Sequence, residues 1–262
     1  MPSKIAMVYA VTGSINIGSI KMKVAVCLSG QPRYFRECSP YLLRSLENLD
    51  VDFFIHSWYH ENMVNDELKP QSKDGDRRGW VVEKETDKGL LETYMPKAFK
   101  FEEQKKFIPK FDFSKRTSYW GPPEYLISSF YSNKQVGKLL HDYVNSTNTK
   151  YDLVISTRTD FAPVVNLADS FVGKNIQDII TAFVPGNDWN KKYMNDPFVA
   201  STYENMMHWF NNYDCFEDDW LSGIDFCPHR LRFHHMKKLE TGFAEILSNA
   251  WYYYRENGLQ TY

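Results

Sequence analysis

Two widespread phosphate-binding signatures are missing from this chain of 262 residues. No GxxxxGKS or GxxxxGKT run occurs, which argues against the loop that P-loop kinases wrap around phosphates. A dinucleotide fingerprint needs three glycines after its first strand, whereas the first predicted strand here is followed by Gly30 alone. GxSxG and HExxH are also absent, so the sequence indicates neither a serine hydrolase nor a zinc protease of the usual pattern.

Cysteine is scarce, and its spacing excludes two further classes of protein. The four cysteines are far apart and form no CxxC pair, so they indicate neither a zinc site nor a disulfide scaffold. We therefore expect reduced thiols and a cytoplasmic protein. The residues are Cys27, Cys38, Cys215 and Cys227.

An excess of positive charge is also lacking. The chain has 31 basic and 33 acidic residues, which gives a net charge of −2. Nucleic-acid binders need a marked basic excess for their phosphate contacts, so we expect no nucleic-acid partner.

No apolar run approaches the roughly 20 residues that span a bilayer, so the sequence predicts no transmembrane segment. A short apolar stretch at residues 5–11 has one lysine before it and no cleavage site directly behind it, which makes a poor signal peptide. Met22 resembles an alternative start. We expect a loosely ordered extension over residues 1–21 and one domain over residues 22–262.

The amino-terminal part of that domain has the pattern of a parallel sheet. Lys23–Ser29 is a nearly continuous apolar run, which predicts a central strand. Ser39 and Pro40 resemble the start of a helix, and Val51–His56 predicts a second strand. Strand, helix and strand in this order are the βαβ signature. The sequence therefore predicts an α/β fold, a single Rossmann-like domain with a mostly parallel central sheet flanked by helices.

The later elements are predicted from the same periodicities. A helix over Glu124–Val144 carries a polar break at residues 132–135, so part of it is expected to face a cleft. The other predicted elements are strands over Ala98–Phe101, Leu153–Ser156, Ile179–Val184 and Arg230–Phe233, a surface loop over His60–Arg78, and helices over Leu90–Tyr94, Ser201–Tyr213 and Leu239–Glu256.

Polar residues follow four of the predicted strands where each one ends. The carboxyl ends of parallel strands share one edge of a sheet, which is where open α/β sheets bind ligands. Gly30 permits close backbone approach to a ligand, and Arg33 is suited to a pyrophosphate, although a solvated arginine in a tight turn is an equal alternative. The four segments are Ser29-Gly30-Gln31-Pro32-Arg33, His56-Ser57-Trp58, Arg158-Thr159-Asp160 and Asn187-Asp188.

Arg158 and Asp160 stand directly after a buried strand. Two residues apart in an extended segment, they are expected to share a face and to hold a metal ion and a phosphate together. Carboxylate and phosphate oxygens are the ligands that Mg²⁺ and Mn²⁺ prefer, so Asp160 is the candidate metal ligand. The alternative is an aspartate that forms a turn or caps a helix.

Two carboxylates are candidates for a catalytic base. Asp196 lies before Pro197, and Asp219 ends the acidic triplet that begins at Glu217. A solvated acidic loop is the ordinary alternative for the triplet. The histidines at positions 229, 234 and 235 match no zinc spacing.

Taken in order, these segments resemble a family of viral and bacterial glycosyltransferase-like proteins with a GT-A type nucleotide-sugar-binding fold. Each motif is weak alone, and their shared order over about residues 22–215 is more specific. The matching segments are KVAVCLSGQPR at 23–33, VDFFIHSW at 51–58, LLETYMPKAFKFEE at 90–103, SSFYSNKQVGKLL at 128–140, YDLVISTRTDFAP at 151–163 and MNDPFVASTYENM at 194–206.

The resemblance implies a nucleoside-diphosphate-sugar donor, a glycan or protein acceptor, and Mn²⁺ or Mg²⁺ as cofactor. It implies that Gly30 and Arg33 contact the nucleotide or diphosphate, and that Asp160 is the last acid of a DxD-type metal motif. Residues 157–160 hold one acid where the full motif has two. The residues expected to bind the donor are Ser29, Gly30, Gln31, Arg33, His56, Trp58 and Arg158.

Two functions follow as hypotheses. The first is a glycosyltransferase, with Asp196 or Asp219 as base if the reaction inverts the anomeric carbon. The second is a catalytically inactive module that keeps the fold and binds a sugar or nucleotide, and the incomplete acidic motif favours it. A sulfotransferase is a weaker third alternative, because no phosphate-cradling loop is present.

Overall fold

The computed structural model describes residues 21–68, 80–109, 111, 123–181, 194, 197–245, 251–255 and 258–261. Its strands in chain order are β1 (Lys23–Gly30), β2 (Asp50–Trp58), β3 (Glu67–Leu68), β4 (Trp80–Val81), β5 (Ala98–Glu102), β6 (Leu153–Thr157), β7 (Phe161–Pro163), β8 (Ile179–Thr181), β9 (Phe198–Ser201), β10 (Phe243–Glu245), β11 (Trp251–Arg255) and β12 (Gly258–Thr261). The helices are α1 (Phe35–Ser45), α2 (Thr86–Tyr94), α3 (Pro123–Thr147), α4 (Leu167–Phe171), α5 (Tyr203–Phe210), α6 (Asn212–Leu221) and α7 (Pro228–Lys237).

Seven strands form the central sheet in the order β10-β8-β9-β6-β1-β2-β5. The strands β1, β2, β5 and β6 are parallel to one another, and β9 is antiparallel to both of its neighbours, β6 and β8. Because β10 pairs in parallel with β8, the strand β9 alone runs against the rest of this sheet. The predicted α/β fold with a mostly parallel sheet is confirmed. A small antiparallel sheet joins β7, β11 and β12.

Helices cover both faces of the sheet, which explains the unbroken apolar run of β1. Side chains of a strand point alternately to its two faces. Val24, Val26 and Leu28 pack against α1, α2 and α4, whereas Ala25 and Cys27 pack against α3, α5 and α7. All five are fully buried.

The direction of chain winding reverses between β1 and β6. The chain leaves β1 through α1 on one face and reaches β2, and it later arrives at β6 through α3 on the opposite face. Such a switch point leaves a crevice outside the carboxyl ends of the two strands, because the helices depart to opposite sides. The loops after β1 and β6 lie at this switch point, so a ligand crevice is expected between them.

The first helix begins earlier than the sequence predicts. It starts at Phe35, after Tyr34 in the left-handed conformation, and contains Pro40 instead of opening with Ser39-Pro40. The backbone N–H of Cys38 already donates to the Tyr34 carbonyl at 3.0 Å, so a helical turn is complete before the proline.

The carboxyl-terminal part of the domain differs most from its prediction. The predicted strand over Arg230–Phe233 is wrong, because these residues lie in α7 with Pro228 in its first turn. The predicted helix over Leu239–Glu256 is also wrong. Its place is taken by β10 and β11, and the aromatic run of β11 pairs with β7 and β12.

The acidic triplet lies in α6 and not in a loop. The helix predicted over Ser201–Tyr213 is two helices, α5 and α6, and its N-cap is Thr202, whose side chain accepts from the Asn205 N–H. Residues 182–184 of the fourth predicted strand, residues 69–78 of the predicted loop and residues 1–20 of the predicted extension lie outside the described residues. No helix within the described ranges is long and apolar enough to span a bilayer.

Gly137 allows α3 to approach α5 closely. A Cβ atom at this position would overlap the Cβ and Cγ atoms of Phe210. We therefore expect Gly137→Ala to lower the free energy of unfolding by about 1–3 kcal/mol, although alanine has the better helix propensity.

Urea unfolding followed by circular dichroism measures this change. Lys138→Ala is the control, because its side chain is exposed on the same helix and its loss should change stability by no more than about 0.5 kcal/mol. A Gly137→Ala protein as stable as the control would contradict the close approach.

Candidate functional site

Gly30 ends β1 and begins the loop that borders the crevice. Its φ of +107° is a conformation that residues with side chains rarely adopt, and no atom of the described residues lies within 4 Å of the position a Cβ would take. The Gly30 N–H donates to Ser132 Oγ at 2.7 Å, and the Ser57 hydroxyl donates to the Gly30 carbonyl at 3.1 Å. The glycine is thus fixed by α3 and β2 while one side of its backbone faces open space.

A buried chain of hydrogen bonds supports this glycine. His56 Nδ1 lies 2.7 Å from Ser132 Oγ, and His56 Nε2 lies 2.8 Å from a carboxylate oxygen of Glu102. The carboxylate can only accept, so the Nε2–H donates to Glu102 and the Ser132 hydroxyl donates to Nδ1. Ser132 therefore accepts from Gly30 and donates to His56, and a neutral imidazole satisfies every partner.

The charges of this chain agree with that assignment. Burial lowers the pKa of His56, although the hydrogen bond with Glu102 opposes the change. The hydrogen bond from His56, with a smaller contribution from Lys100, lowers the pKa of Glu102 to about 2. Glu102 is therefore a permanent carboxylate at neutral pH, and such a low pKa makes it a poor general base.

The polar break in α3 supplies three of the contacts at the strand ends. Ser132 bonds Gly30 as described, Asn133 accepts from Ser29 at 2.5 Å, and Gln135 accepts from Lys100 at 3.0 Å. The polar break at residues 132–135 therefore marks the part of α3 that contacts the strand ends. These side chains point toward the sheet edge because they fix the strand ends from the α3 side.

The loop after β6 is bound to the loop after β1. Thr159 Oγ1 lies 3.0 Å from the Gln31 carbonyl oxygen and 3.3 Å from that of Arg33. Arg33 also reaches Asp160, with 3.1 Å between a terminal guanidinium nitrogen and a carboxylate oxygen. Both loops therefore form one surface at the switch point.

Asp160 is shared between two arginines. Arg158 holds it with two parallel hydrogen bonds, from Nε at 2.8 Å and from a terminal nitrogen at 2.5 Å, and Arg33 contacts one of the same oxygens. Burial alone would raise the pKa of Asp160, but the charges of Arg158 and Arg33 keep it below its usual value. We call these three residues the arginine pair and its carboxylate.

This contact differs from the predicted geometry. The strand ends at Thr157, and Thr159 and Asp160 lie in a turn, so Arg158 and Asp160 do not share the face of an extended segment. The turn directs the two side chains at each other. They neutralise one another in part, and the three charged groups sum to one positive charge.

A divalent metal does not fit the Asp160 side chain as it is placed. Both carboxylate oxygens accept from guanidinium groups, and a metal at either oxygen would face those positive charges. Within the described ranges, no group of three His, Cys, Asp or Glu side chains could hold a metal ion. The expected role of Asp160 as a metal ligand therefore finds no support in its surroundings.

The structure brings most of the predicted donor-binding residues to one edge. Gln31 donates to Gln104 at 2.7 Å and lies in the same loop as Gly30 and Arg33. His56 and Trp58 are buried beneath that edge, with Trp58 stacked on Tyr131 at a centroid distance of 5.6 Å. Asp196 and the strand end Asn187-Asp188 lie outside the described residues.

Asp219 lies elsewhere. It is 2% exposed on α6 and pairs with Lys238 and, at 3.5 Å, with His235 Nδ1. Burial by itself would raise its pKa, but the contact with His235 and the hydrogen bond from Lys238 lower it. Its partners His235 and Lys238 belong to α7 and to the residue after it, and not to the loops that follow β1 and β6. Asp219 therefore belongs to a buried structural ion pair and not to a solvated loop.

Sequence reasoning missed four residues of the site, which are Ser132, Asn133, Thr159 and Glu102. In the sequence, Ser132 and Asn133 form only a break in the apolar stripe of a helix. Thr159 is only the residue between a cation and an acid. Glu102 had no signal of its own, because an acid at the end of a short strand is common on any surface.

We expect Ser132→Ala to destabilise the protein by about 1–3 kcal/mol, since it leaves the Gly30 N–H and His56 Nδ1 buried without their partner. Urea unfolding measures the change. Ser146→Ala, at the exposed end of the same helix, is the matched control and should alter stability by less than about 0.5 kcal/mol. Equal effects of the two substitutions would show that the buried chain contributes nothing.

We also expect stability to fall as the pH is lowered below about 6.5, the ordinary pKa of histidine. The pKa of His56 is lower in the folded protein, so in this window the unfolded chain binds more protons and acid favours it. The free energy of unfolding falls by up to about 1.4 kcal/mol for each pKa unit by which folding lowers the pKa of His56. Urea midpoints between pH 7 and pH 5 measure it.

Replacing the titrating group tests the assignment. His56→Gln should reduce this part of the pH dependence, whereas His60→Gln, at an exposed position, should keep it. An unchanged pH dependence in His56→Gln would refute the contribution of His56.

Comparison with known proteins gives one kind of match. No protein-family model matches the chain, and no curated protein sequence matches it. Among solved structures it is similar to the galactosyltransferase LgtC in complex with donor and acceptor sugar analogs, with a TM-score of 0.43, 10% identity, and 87% of this chain and 74% of that chain covered. An active-site mutant of LgtC gives a TM-score of 0.44, 9% identity and the same coverages of 87% and 74%.

Proposed function

We propose that this protein transfers a sugar from a nucleoside-diphosphate-sugar donor to a hydroxyl group of a glycan or protein acceptor. The observation that carries the proposal is the meeting of two loops at the switch point, where Arg33 and Arg158 converge beside the open backbone of Gly30. A crevice at this place, bordered by two guanidinium groups, suits a diphosphate. The order of the segments that resemble glycosyltransferase-like proteins agrees with it.

The main chemical demand of this reaction is the charge that builds on the leaving diphosphate. Arg33 and Arg158 would meet that demand, since guanidinium groups stay charged at any working pH and bind phosphate oxygens in pairs. Gly30 and Gln31 would line the donor with backbone and side-chain groups. Ser29, His56 and Trp58 are buried beneath the carboxyl edge of the sheet. They would support the loop after β1 without contacting the donor.

The proposed base is Asp196, if the reaction inverts the anomeric carbon. Its neighbour Pro197 is held at the end of β6, where the Thr157 hydroxyl donates to the Pro197 carbonyl at 2.7 Å. The Asp196 carboxylate would accept the proton of an acceptor hydroxyl. Asp219 has no part in this proposal because it is committed to Lys238.

The second candidate is a catalytically inactive module that binds a sugar nucleotide. The engagement of both Asp160 oxygens by arginines favours it, since a metal-dependent transferase would need that carboxylate for the ion. The two candidates share the ligand and differ in turnover.

A panel of nucleotide sugars tests both. Thermal shifts identify the donors that bind, and release of nucleoside diphosphate, with and without Mn²⁺, measures turnover. Binding with turnover supports the transferase, and binding without turnover supports the inactive module. A chain that binds no nucleotide sugar contradicts both.

Given an active donor, we expect Arg33→Ala to lower kcat/KM by roughly 100-fold, because one group that stabilises the leaving diphosphate is lost. Steady-state release of nucleoside diphosphate measures it. Arg36→Ala is the matched control, an arginine on α1 that pairs with Glu83, and it should keep its rate within about twofold. If the two variants lost activity equally, the assignment of Arg33 to the diphosphate would be wrong.

A further inference from the structure

We propose that Asp160 positions Arg33 and Arg158 as a shared counter-ion, and that the site binds a diphosphate without any divalent cation. This inference rests on the proposed function in so far as the diphosphate belongs to the donor. It departs from the metal role that the family resemblance implies for Asp160.

The geometry of the carboxylate gives the first reason. One oxygen accepts from Arg158 Nε, and the other accepts from a terminal nitrogen of Arg158 and lies 3.1 Å from a terminal nitrogen of Arg33. A bound Mg²⁺ or Mn²⁺ would stand about 2.0–2.2 Å from an oxygen, in the space that these guanidinium groups fill. The ion could enter only if the arginines moved away.

The charge balance gives the second reason. Arg33, Arg158 and Asp160 alone carry a net charge of +1, and a divalent ion at Asp160 would stand against two guanidinium groups in a partly buried place. Metal sites usually balance the charge of the ion with further acidic side chains. No cluster of three possible ligands exists in the part of the chain that the structure describes.

Exposure shows which groups face the ligand. The Asp160 side chain is 8% exposed, whereas those of Arg33 and Arg158 are 17% and 33% exposed. The two guanidinium groups are therefore more accessible to a ligand than the carboxylate is. This is the arrangement expected of an anion site with a buried counter-ion and not of a cation site.

The counter-ion also fixes the position of the two arginines. Two like charges at close range repel each other unless an opposite charge lies between them. Asp160 supplies that charge, and the Thr159 contacts with the Gln31 and Arg33 carbonyls hold the loops in register. Preorganised arginines lose little entropy when a diphosphate binds, which increases affinity.

Isothermal titration calorimetry of the full chain with inorganic pyrophosphate, UDP and GDP tests the inference. One series contains EDTA and a second contains Mn²⁺. We expect at least one of these diphosphates to bind in EDTA, with an affinity that Mn²⁺ changes by less than about threefold, since the positive charge comes from the protein. Binding that appears only with Mn²⁺ would overturn the inference, as would the absence of binding in both series.

Two substitutions test the role of each group in EDTA. Arg158→Lys keeps the charge but loses the paired hydrogen bonds, and we expect about tenfold weaker binding. Asp160→Asn should also weaken binding about tenfold, because the arginines lose their common anchor. Asp142→Asn, an exposed acid on α3, is the control and should bind as the unmodified chain does.

Asp160→Asn has three informative outcomes. Weaker binding by the same factor with and without Mn²⁺ supports the positioning role. A loss confined to the Mn²⁺ series means that Asp160 holds the metal, and tighter binding means that it only neutralises the arginines; either result overturns the inference. Urea unfolding of each variant shows whether it is folded at the temperature of the titration.

Failure of this inference and failure of the proposed function differ in their readouts. A chain that binds diphosphates in EDTA but turns over no donor keeps the inference and loses the transferase. A chain with Mn²⁺-dependent turnover and no binding in EDTA keeps the transferase and loses the inference.

Discussion

The parallel pairing of β1 with both β2 and β6 is the constraint on which the candidate site depends. In that register Gly30 lies opposite Ser57, and Leu28 lies opposite Thr157, so three strands end at nearly the same level. The loops that follow have no freedom to begin elsewhere. Every contact of the site, from the His56 chain to the arginine pair, is a consequence of that alignment together with the position of α3.

Two polar structures use this alignment in different ways. The chain from Gly30 to Glu102 is buried and neutral at His56, and it fixes a backbone conformation that the chain would not adopt unaided. The arginine pair and its carboxylate is charged and lies at the rim. The hydrogen-bonded chain makes the backbone at Gly30 rigid. The arginine pair and its carboxylate supplies an electrostatic field beside that backbone.

Much of the fold could be predicted because its signals are local. β1, β2, β6 and α3 follow from apolar runs and helical spacing, and the meeting of their polar ends follows from the rule for parallel sheets. The carboxyl-terminal part could not be predicted in this way. Residues 251–254 are aromatic and fit a helix or a strand equally well, and only the pairing of this segment with β7 decides.

The sequence predicts which residues belong to the site better than it predicts which of them contact each other. Arg33, Arg158 and Asp160 were found as strand-end residues, but the sequence does not state that the carboxylate faces both arginines. That depends on a turn at residues 159–160. Asp219 shows the same limit, since an acid beside two other acids resembles a surface loop until the folded chain brings Lys238 to it.

The small sheet has a consequence for how the site is made. The strand β7 begins at Phe161, directly after Asp160, and its partner β11 lies near the far end of the chain. The strand that supports the segment after the β6 loop is therefore synthesised after both arginines. In a nascent chain, Arg33, Arg158 and Asp160 are therefore present before the strand that pairs with β7 has been made.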